Sequence, residues 1–282
     1  MPAYHNFNTT PAPFEFYPEL LMTAGDGSVW WDFGDVTTMY QDILQTEPVT
    51  ASGQKVAYVA DKGPSGIYLF NSDESRQPTY IVEGGKTFLR FNAANFEYLC
   101  TGPSEELALG GCYGFTKFST LTNEHYQRVL SLGKAGINND TTGLGVLAIN
   151  TSAATAWFNA RGNAAGMDPY FSGSGASPLG LYEYSIRGAN SAKVWKDAVQ
   201  GVNDTSHPSP QSKSLGRAVV GVMCGSNEPS VSAALNGDLY GIMHFAAELS
   251  PGEISALRTW WAANRGCQAI LDICTQPVIG PR

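Results

Sequence analysis

The side chains with the most chemical potential in this chain are scattered, and their spacing decides what they can do. Tyr170 and Phe171 stand side by side in a stretch, 161–178, that also carries Gly166, Asp168, Pro169, Gly173 and Gly175. Glycine, proline and aspartate clustered in this way read as a loop. An exposed Tyr-Phe pair there offers flat rings on which the apolar side of a pyranose can stack. Tyr170 and Phe171 are therefore the candidate ligand-binding residues. The competing role is that such rings simply cover the end of the core.

Acids and histidines are the other candidates. Asp32, Asp35 and Asp42 follow the Trp30-Trp31 pair. Grouped aspartates can serve catalysis or calcium, but aspartates at turns far more often accept hydrogen bonds from nearby amides, and capping is the expected role. The four histidines, His5, His125, His207 and His244, are far apart, and none has a partner at metal-ligand spacing. His244 is out of phase with Met243 and Phe245, so a surface or hydrogen-bonded histidine is expected. Neither a Gly-x-Ser-x-Gly elbow nor a phosphate-binding glycine loop occurs. Glycoside hydrolysis needs two carboxylates about 5 Å or ~6.5–9.5 Å apart, and residues i, i+2 and i+4 of a strand share a face. Glu183, within 181–186, has no acid partner on its strand. No catalytic residue, metal site or cofactor is predicted.

The elements that must position these residues are mostly strands. Apolar alternation bounded by turn residues predicts strands at 67–70, 79–82, 87–91, 96–100, 112–118, 128–132, 144–150, 154–160, 179–186, 193–199 and 218–223. Three loops are expected, at 138–143, 161–178 and 200–216. Near the end, Asn236-Gly237 reads as a tight turn, followed by a strand with Leu239, Met243 and Phe245 on one face. A short helix comes next. Ser250 is its N-cap, Pro251 its first residue, and Glu253 completes a capping box. Leu249 and Ile254 form the staple across that cap, Ile254, Leu257 and Trp261 share a stripe, and Gly266 ends the helix. Residues 1–28 read as an extended arm whose prolines break any helix. Its apolar side chains are expected to lie against its own domain or a neighbouring subunit.

Composition narrows the class. The chain has 282 residues, 43% hydrophobic and only 15% charged, with 31 Gly, 13 Tyr and 13 Phe, which suits one turn-rich β-domain. A net charge of -8 without a Lys/Arg cluster argues against nucleic acid or an anionic membrane as partner. No apolar run approaches the ~20 residues of a membrane span. The N-terminus lacks the basic and apolar regions of a signal peptide. Of the five cysteines, Cys100 and Cys112 read as small buried hydrophobes, while pairing of Cys267 with Cys274 stays open.

Several motifs carry a resemblance. They are Trp31-Asp-x-x-Asp35-x-x-Thr38, Gly53-Gln-Lys-Val56, Val59-Ala-Asp-Lys62, the strand pair at 78–91, and the ending Leu235-Asn-Gly-Asp-Leu-Tyr-Gly241 with Leu249-Ser-Pro-Gly-Glu253. Together they resemble the concanavalin A-like lectin/glucanase superfamily. More narrowly, they resemble the laminin-G-like sandwiches of tailed-bacteriophage virion proteins. The resemblance implies an all-β antiparallel sandwich (jelly roll) with one short C-terminal helix. The expected organisation is an arm at 1–28, a single jelly-roll domain at 29–266 and a tail at 267–282. The chain lacks the Glu-x-Asp-x-x-Glu strand of the enzymatic branch and the calcium/sugar loop of legume lectins. The expected function is that of a non-enzymatic virion structural protein of the tail, neck or capsid surface. Its expected partners are other virion proteins and further copies of itself. The alternative is a carbohydrate-binding adhesin for host surface glycans, and a glycan-cleaving enzyme ranks third.

Overall fold

In the computed structural model the described residues are 16–109, 112–120, 127–133, 144–150, 155–159, 170–172, 180–186, 192–200, 214–222, 224–225, 228–229 and 233–265. In chain order the strands are β1 (Val29–Trp31), β2 (Met39–Tyr40), β3 (Tyr58–Val59), β4 (Leu69–Phe70), β5 (Thr79–Glu83), β6 (Lys86–Phe91), β7 (Leu99–Cys100), β8 (Glu106–Leu109), β9 (Cys112–Thr120) and β10 (Gln127–Gly133). They continue with β11 (Leu144–Asn150), β12 (Thr155–Asn159), β13 (Tyr170–Ser172), β14 (Gly180–Ile186), β15 (Ala192–Lys196), β16 (Val199–Gln200), β17 (Ser214–Val220), β18 (Cys224–Gly225), β19 (Glu228–Pro229) and β20 (Gly237–Phe245). Helix α1 (Pro251–Arg265) follows.

Two antiparallel sheets form the sandwich. The first runs β16-β15-β14-β9-β20-β6-β5, with β1 pairing the far half of β20. The second runs β13-β12-β11-β10-β17-β7-β4-β3-β2, with β8 also on β17. This is the expected all-β class, an antiparallel sandwich with one short C-terminal helix. Between the sheets lies a core that includes Trp31, Phe33, Met39, Val59, Leu69, Leu89, Phe118, Tyr182, Val220 and Ile242. Fully burying such side chains contributes roughly 1.5–3 kcal/mol each.

Helix α1 closes the outer face of the first sheet. Leu257 and Trp261 pack there against Trp30, Phe115, Met243 and Phe245. The capping box forms as predicted: the Ser250 amide donates to Glu253 Oε2 at 2.7 Å, and the Glu253 amide donates to Ser250 Oγ at 3.4 Å. Leu249 is buried and Ile254 packs on the same cluster, as the staple requires. Gly266, Cys267 and Cys274 lie outside the described residues.

The closing strand departs from expectation in two ways. Asn236-Gly237 is not a tight turn, because Gly237 is already extended and paired with Phe91 and Thr120. Glycine is needed there for another reason: a Cβ would overlap the Ser119 carbonyl. Second, Leu239 does not share a face with Met243 and Phe245. Leu239 pairs with Phe118 and Gly241 with Lys117, so Tyr240 is an extra residue in a bulge. The bulge moves Leu239 and Ile242 into the core and Tyr240, Met243 and Phe245 to the helix side.

Residues 16–28 lie against the chain's own domain, one of the two expected placements. Pro18–Leu21 form a 3-10 turn, because proline suits the first position of a helix even where it ends others. Phe16, Leu21 and Met22 pack on the helix-side cluster of the chain's own domain. Residues 1–15 lie outside the described residues.

Candidate functional site

The outer face of the second sheet is built differently from that of the first. Its strands β2, β3 and β4 each set an aliphatic residue inward and an aromatic residue outward, the period of two that a strand imposes. Met39, Val59 and Leu69 point into the core. Their neighbours Tyr40, Tyr58 and Phe70 line up across the strands, Tyr40 opposite Tyr58 and Tyr58 opposite Phe70. The row continues to Cys100 and Val219. Tyr68, on the same side as Phe70, completes it.

The rings touch in sequence. Tyr40 and Tyr58 meet edge to face with centroids 5.9 Å apart, Tyr58 and Tyr68 stack at 4.8 Å, and Tyr68 and Phe70 tilt at 5.9 Å. Such pairs add about 0.5–1.5 kcal/mol each beyond their buried area. Tyr58 is buried at 7% exposure, whereas Tyr40, Tyr68 and Phe70 are partly exposed. Burial pushes the Tyr58 hydroxyl above the usual phenol range, helped by Tyr68, Glu105 and Tyr40. Burial likewise raises Tyr98, which packs beside Cys100, Val219 and Val222 at the far end of the row. The arrangement offers a contiguous apolar surface edged with phenols, suited to stacking a flat, hydroxyl-rich ligand.

This platform was missed in the sequence. Tyr40 and Tyr58 stand in separate segments that only the pairing of β2 with β3 brings together. The one local signal is Tyr68-x-Phe70, an i, i+2 aromatic pair in a predicted strand.

The predicted pair lies elsewhere. Tyr170 and Phe171 sit not in a loop but on β13, the edge strand of the second sheet, opposite Trp157 and Ala156. The glycines and proline around them mislead because only three residues are needed to pair with β12, and aromatic residues favour strands. Neighbouring positions on a strand belong to opposite faces.

Asp32, Asp35, Asp42, Asp61 and Asp238 are occupied by structural work. Asp32 accepts from the Gly34 amide at 3.0 Å and from Lys62 Nζ at 3.2 Å; Asp35 accepts from the Thr37 amide at 3.1 Å and Lys62 Nζ at 2.7 Å. Burial pushes Asp35 up, but the Lys62 and Thr37 bonds outweigh it and hold the carboxyl below the usual range. Asp42 accepts from the amides of Thr46 and Glu47, both at 2.9 Å. Capping is thus the role of all three. Asp61 holds the amides of Trp30, Gly63 and Gly66 at 2.7, 2.8 and 3.0 Å, and burial still leaves it above the usual range. Asp238 takes Arg90 in a two-point bond at 2.7 and 3.0 Å.

Glu183 and His244 are fully buried. Glu183 accepts from Tyr113 Oη at 2.8 Å and from Arg258 on α1 at 2.8 to 3.1 Å. Burial pushes its carboxyl up against the opposing pull of Arg258 and Tyr113. His244 is hydrogen-bonded, not at the surface: its Nδ1 lies 2.7 Å from Tyr184 Oη. Among the described residues no three of His, Cys, Asp and Glu gather as a metal group. No described helix is long and apolar enough to cross a membrane. Cys100 and Cys224 are buried and stand outside any disulfide.

An apolar groove of about 590 Å³ runs between Phe16, Tyr17 and the outer side of α1, including Ala256, Trp260 and Ala263. It starts where the arm enters the described residues.

No family model matches the chain, and no curated protein does. Solved structures do align. Trypanosoma rangeli sialidase aligns at 12% identity with a TM-score of 0.49, over 82% of this chain and 32% of that one. The binding domain of Paraclostridial Mosquitocidal Protein 1 aligns at 6% identity and 0.49, over 72% of this chain and 50% of that one. The Ruminococcus gnavus IT-sialidase CBM40 aligns at 14% identity and 0.40, over 53% of this chain and 83% of that one. The chain spans about a third of the length of the Trypanosoma sialidase.

Proposed function

We propose that this chain is a non-enzymatic carbohydrate-binding module that holds a glycan against the open face of its second sheet. The observation that carries this reading is the ring row Tyr40, Tyr58, Tyr68 and Phe70. The bland alternative is that these rings merely seal the core. Met39, Val59 and Leu69 already seal it from the inner face, so rings outside them do something further. The non-enzymatic part is supported by the carboxylates, since Asp32, Asp61, Glu183 and Asp238 are each held by two or more hydrogen-bond donors. A catalytic acid needs a face open to substrate.

Affinity electrophoresis in gels cast with soluble bacterial-surface and plant polysaccharides tests the reading. The wild-type protein is slowed by at least one polysaccharide, and Tyr68→Ala restores free mobility. Equal slowing of both proteins contradicts the platform. Release of reducing ends by the purified protein contradicts the non-enzymatic part.

The bacteriophage-virion setting is a separate proposal, supported by the resemblance of the opening and closing motifs alone. The packing of Phe16 and Leu21 on the chain's own helix does not add to it. Probing purified particles with antibody tests it, and a particle without the chain overturns it.

A further inference from the structure

The groove on α1 is open along the helix. Its floor is a stripe of small side chains, Gly252, Ala256, Thr259 and Ala263, spaced so that they share one side of the helix. A Cβ added at Gly252 would meet nothing nearer than Ser250 Oγ at 4.0 Å. Trp260 supplies a ring whose position is fixed, because it meets Trp30 edge to face at 5.1 Å and Trp261 at 5.9 Å. Phe16 and Tyr17 supply the others, and no side chain that lines the groove is charged. Beside it, Tyr17 and Leu20 are 43% and 60% exposed, large apolar side chains left open to water.

The chain itself carries a segment whose chemistry matches. Residues 1–15 join the described residues at Phe16, which lines the groove. Phe14 is two residues away, so its Cα lies within about 7 Å of that of Phe16. The run Thr10-Pro-Ala-Pro-Phe14 has no charged side chain, and no Asp, Glu, Lys or Arg occurs before Glu15. Pro11 and Pro13 fix their own φ, and each keeps the residue before it out of the helical region. An extended, proline-rich run loses little entropy on docking, and such runs seat in grooves lined by aromatic rings. The length fits as well. Gly252 to Ala263 spans about 16 Å at ~1.5 Å per residue, which about five extended residues cover at ~3.3 Å each. A segment tied to the rim of the groove has a high effective concentration there, which favours it over the same segment of another copy.

We propose that the groove on α1 is the docking site of Thr10–Phe14 of the same chain, which cover Trp260. The proposed glycan face is on the other sheet, so this inference stands apart from the carbohydrate-binding reading.

The test is NMR of the full chain with carbon-labelled alanine methyls, the signals of Ala256 and Ala263 being assigned by Ala256→Ser and Ala263→Ser. Nuclear Overhauser contacts from the Phe14 ring to these methyls are expected. Phe14→Ser in the full chain removes them and shifts both methyl signals, while those of Ala57 and Ala218, buried elsewhere, stay in place. Absence of any such contact from residues 10–14, or methyl signals unmoved by Phe14→Ser, overturns the proposal. A sample mixing labelled with unlabelled chains identifies the donor. Contacts seen only between the two kinds of chain overturn the same-chain occupant and assign the groove to a second copy.

Discussion

Tyr40 and Tyr68 carry ring surface at the open face without holding the core, so their removal should separate binding from stability. Tyr40→Ala and Tyr68→Ala are each expected to weaken glycan binding about tenfold, as truncation of a central aromatic anchor does. Their melting temperatures should fall by only a few degrees, because Tyr40 loses one ring pair and Tyr68 two, while the core stays filled. Equilibrium titration and thermal melts of the same preparations check both halves. Gly114 offers the converse case. Its Cα lies under Tyr184, and an added methyl would overlap the ring that reaches His244. Gly114→Ala should therefore cost roughly 1–3 kcal/mol in denaturant unfolding, without touching the platform directly. An alanine variant as stable as wild type would show that Tyr184 can move freely. Neither residue was singled out in the sequence. A glycine beneath an aromatic ring becomes visible only when β9 and β14 are set in register.

The helix is the element most fully legible from sequence, because its signals are local. Ser250, Pro251 and Glu253 lie within four residues, and the box forms as read. Ser250→Ala should lower stability by about 1 kcal/mol. The Ser250 side chain, then its amide, hold the Glu253 carboxyl below its ordinary 4.5. A depressed carboxyl adds stability above the unfolded value and loses it as pH falls through the folded one. The melting-temperature gap between wild type and Glu253→Ala should thus be present at neutral pH and close below 4.5. A gap that persists in acid contradicts this. What sequence could not show is how the helix is fastened. Arg258 reaches a glutamate 75 residues away on β14. Arg258→Leu should cost about 3–5 kcal/mol by leaving Glu183 buried without its cation, while Arg258→Leu with Glu183→Leu should recover most of it. A double variant no better than the single one would mean that the pair itself is the stabilising element. The bulge at Tyr240 was hidden for a related reason: alternation is read along one strand, and an extra residue is recognised only against its partner β9.

At the scale of the whole molecule, the two outer faces are unequal. One is covered by α1, with Trp261 and Leu257 driven into it; the other bears the partly exposed row from Tyr40 to Phe70. The sandwich class was readable from turn spacing and alternation, but short strands such as β2, β8 and β13 were not. The platform was not, because its rings come from segments near 40, 58 and 68 that β-pairing alone brings together. The most direct test is an NMR titration of protein labelled in its tyrosine rings, assigned by single Tyr→Phe changes, with an oligosaccharide fragment of a polysaccharide that slows the protein in the gel. Saturable shifts in the Tyr40, Tyr58 and Tyr68 signals, with Tyr113 and Tyr182 unmoved, are the predicted result. Shifts confined to tyrosines away from the row, or none on bound protein, would contradict it.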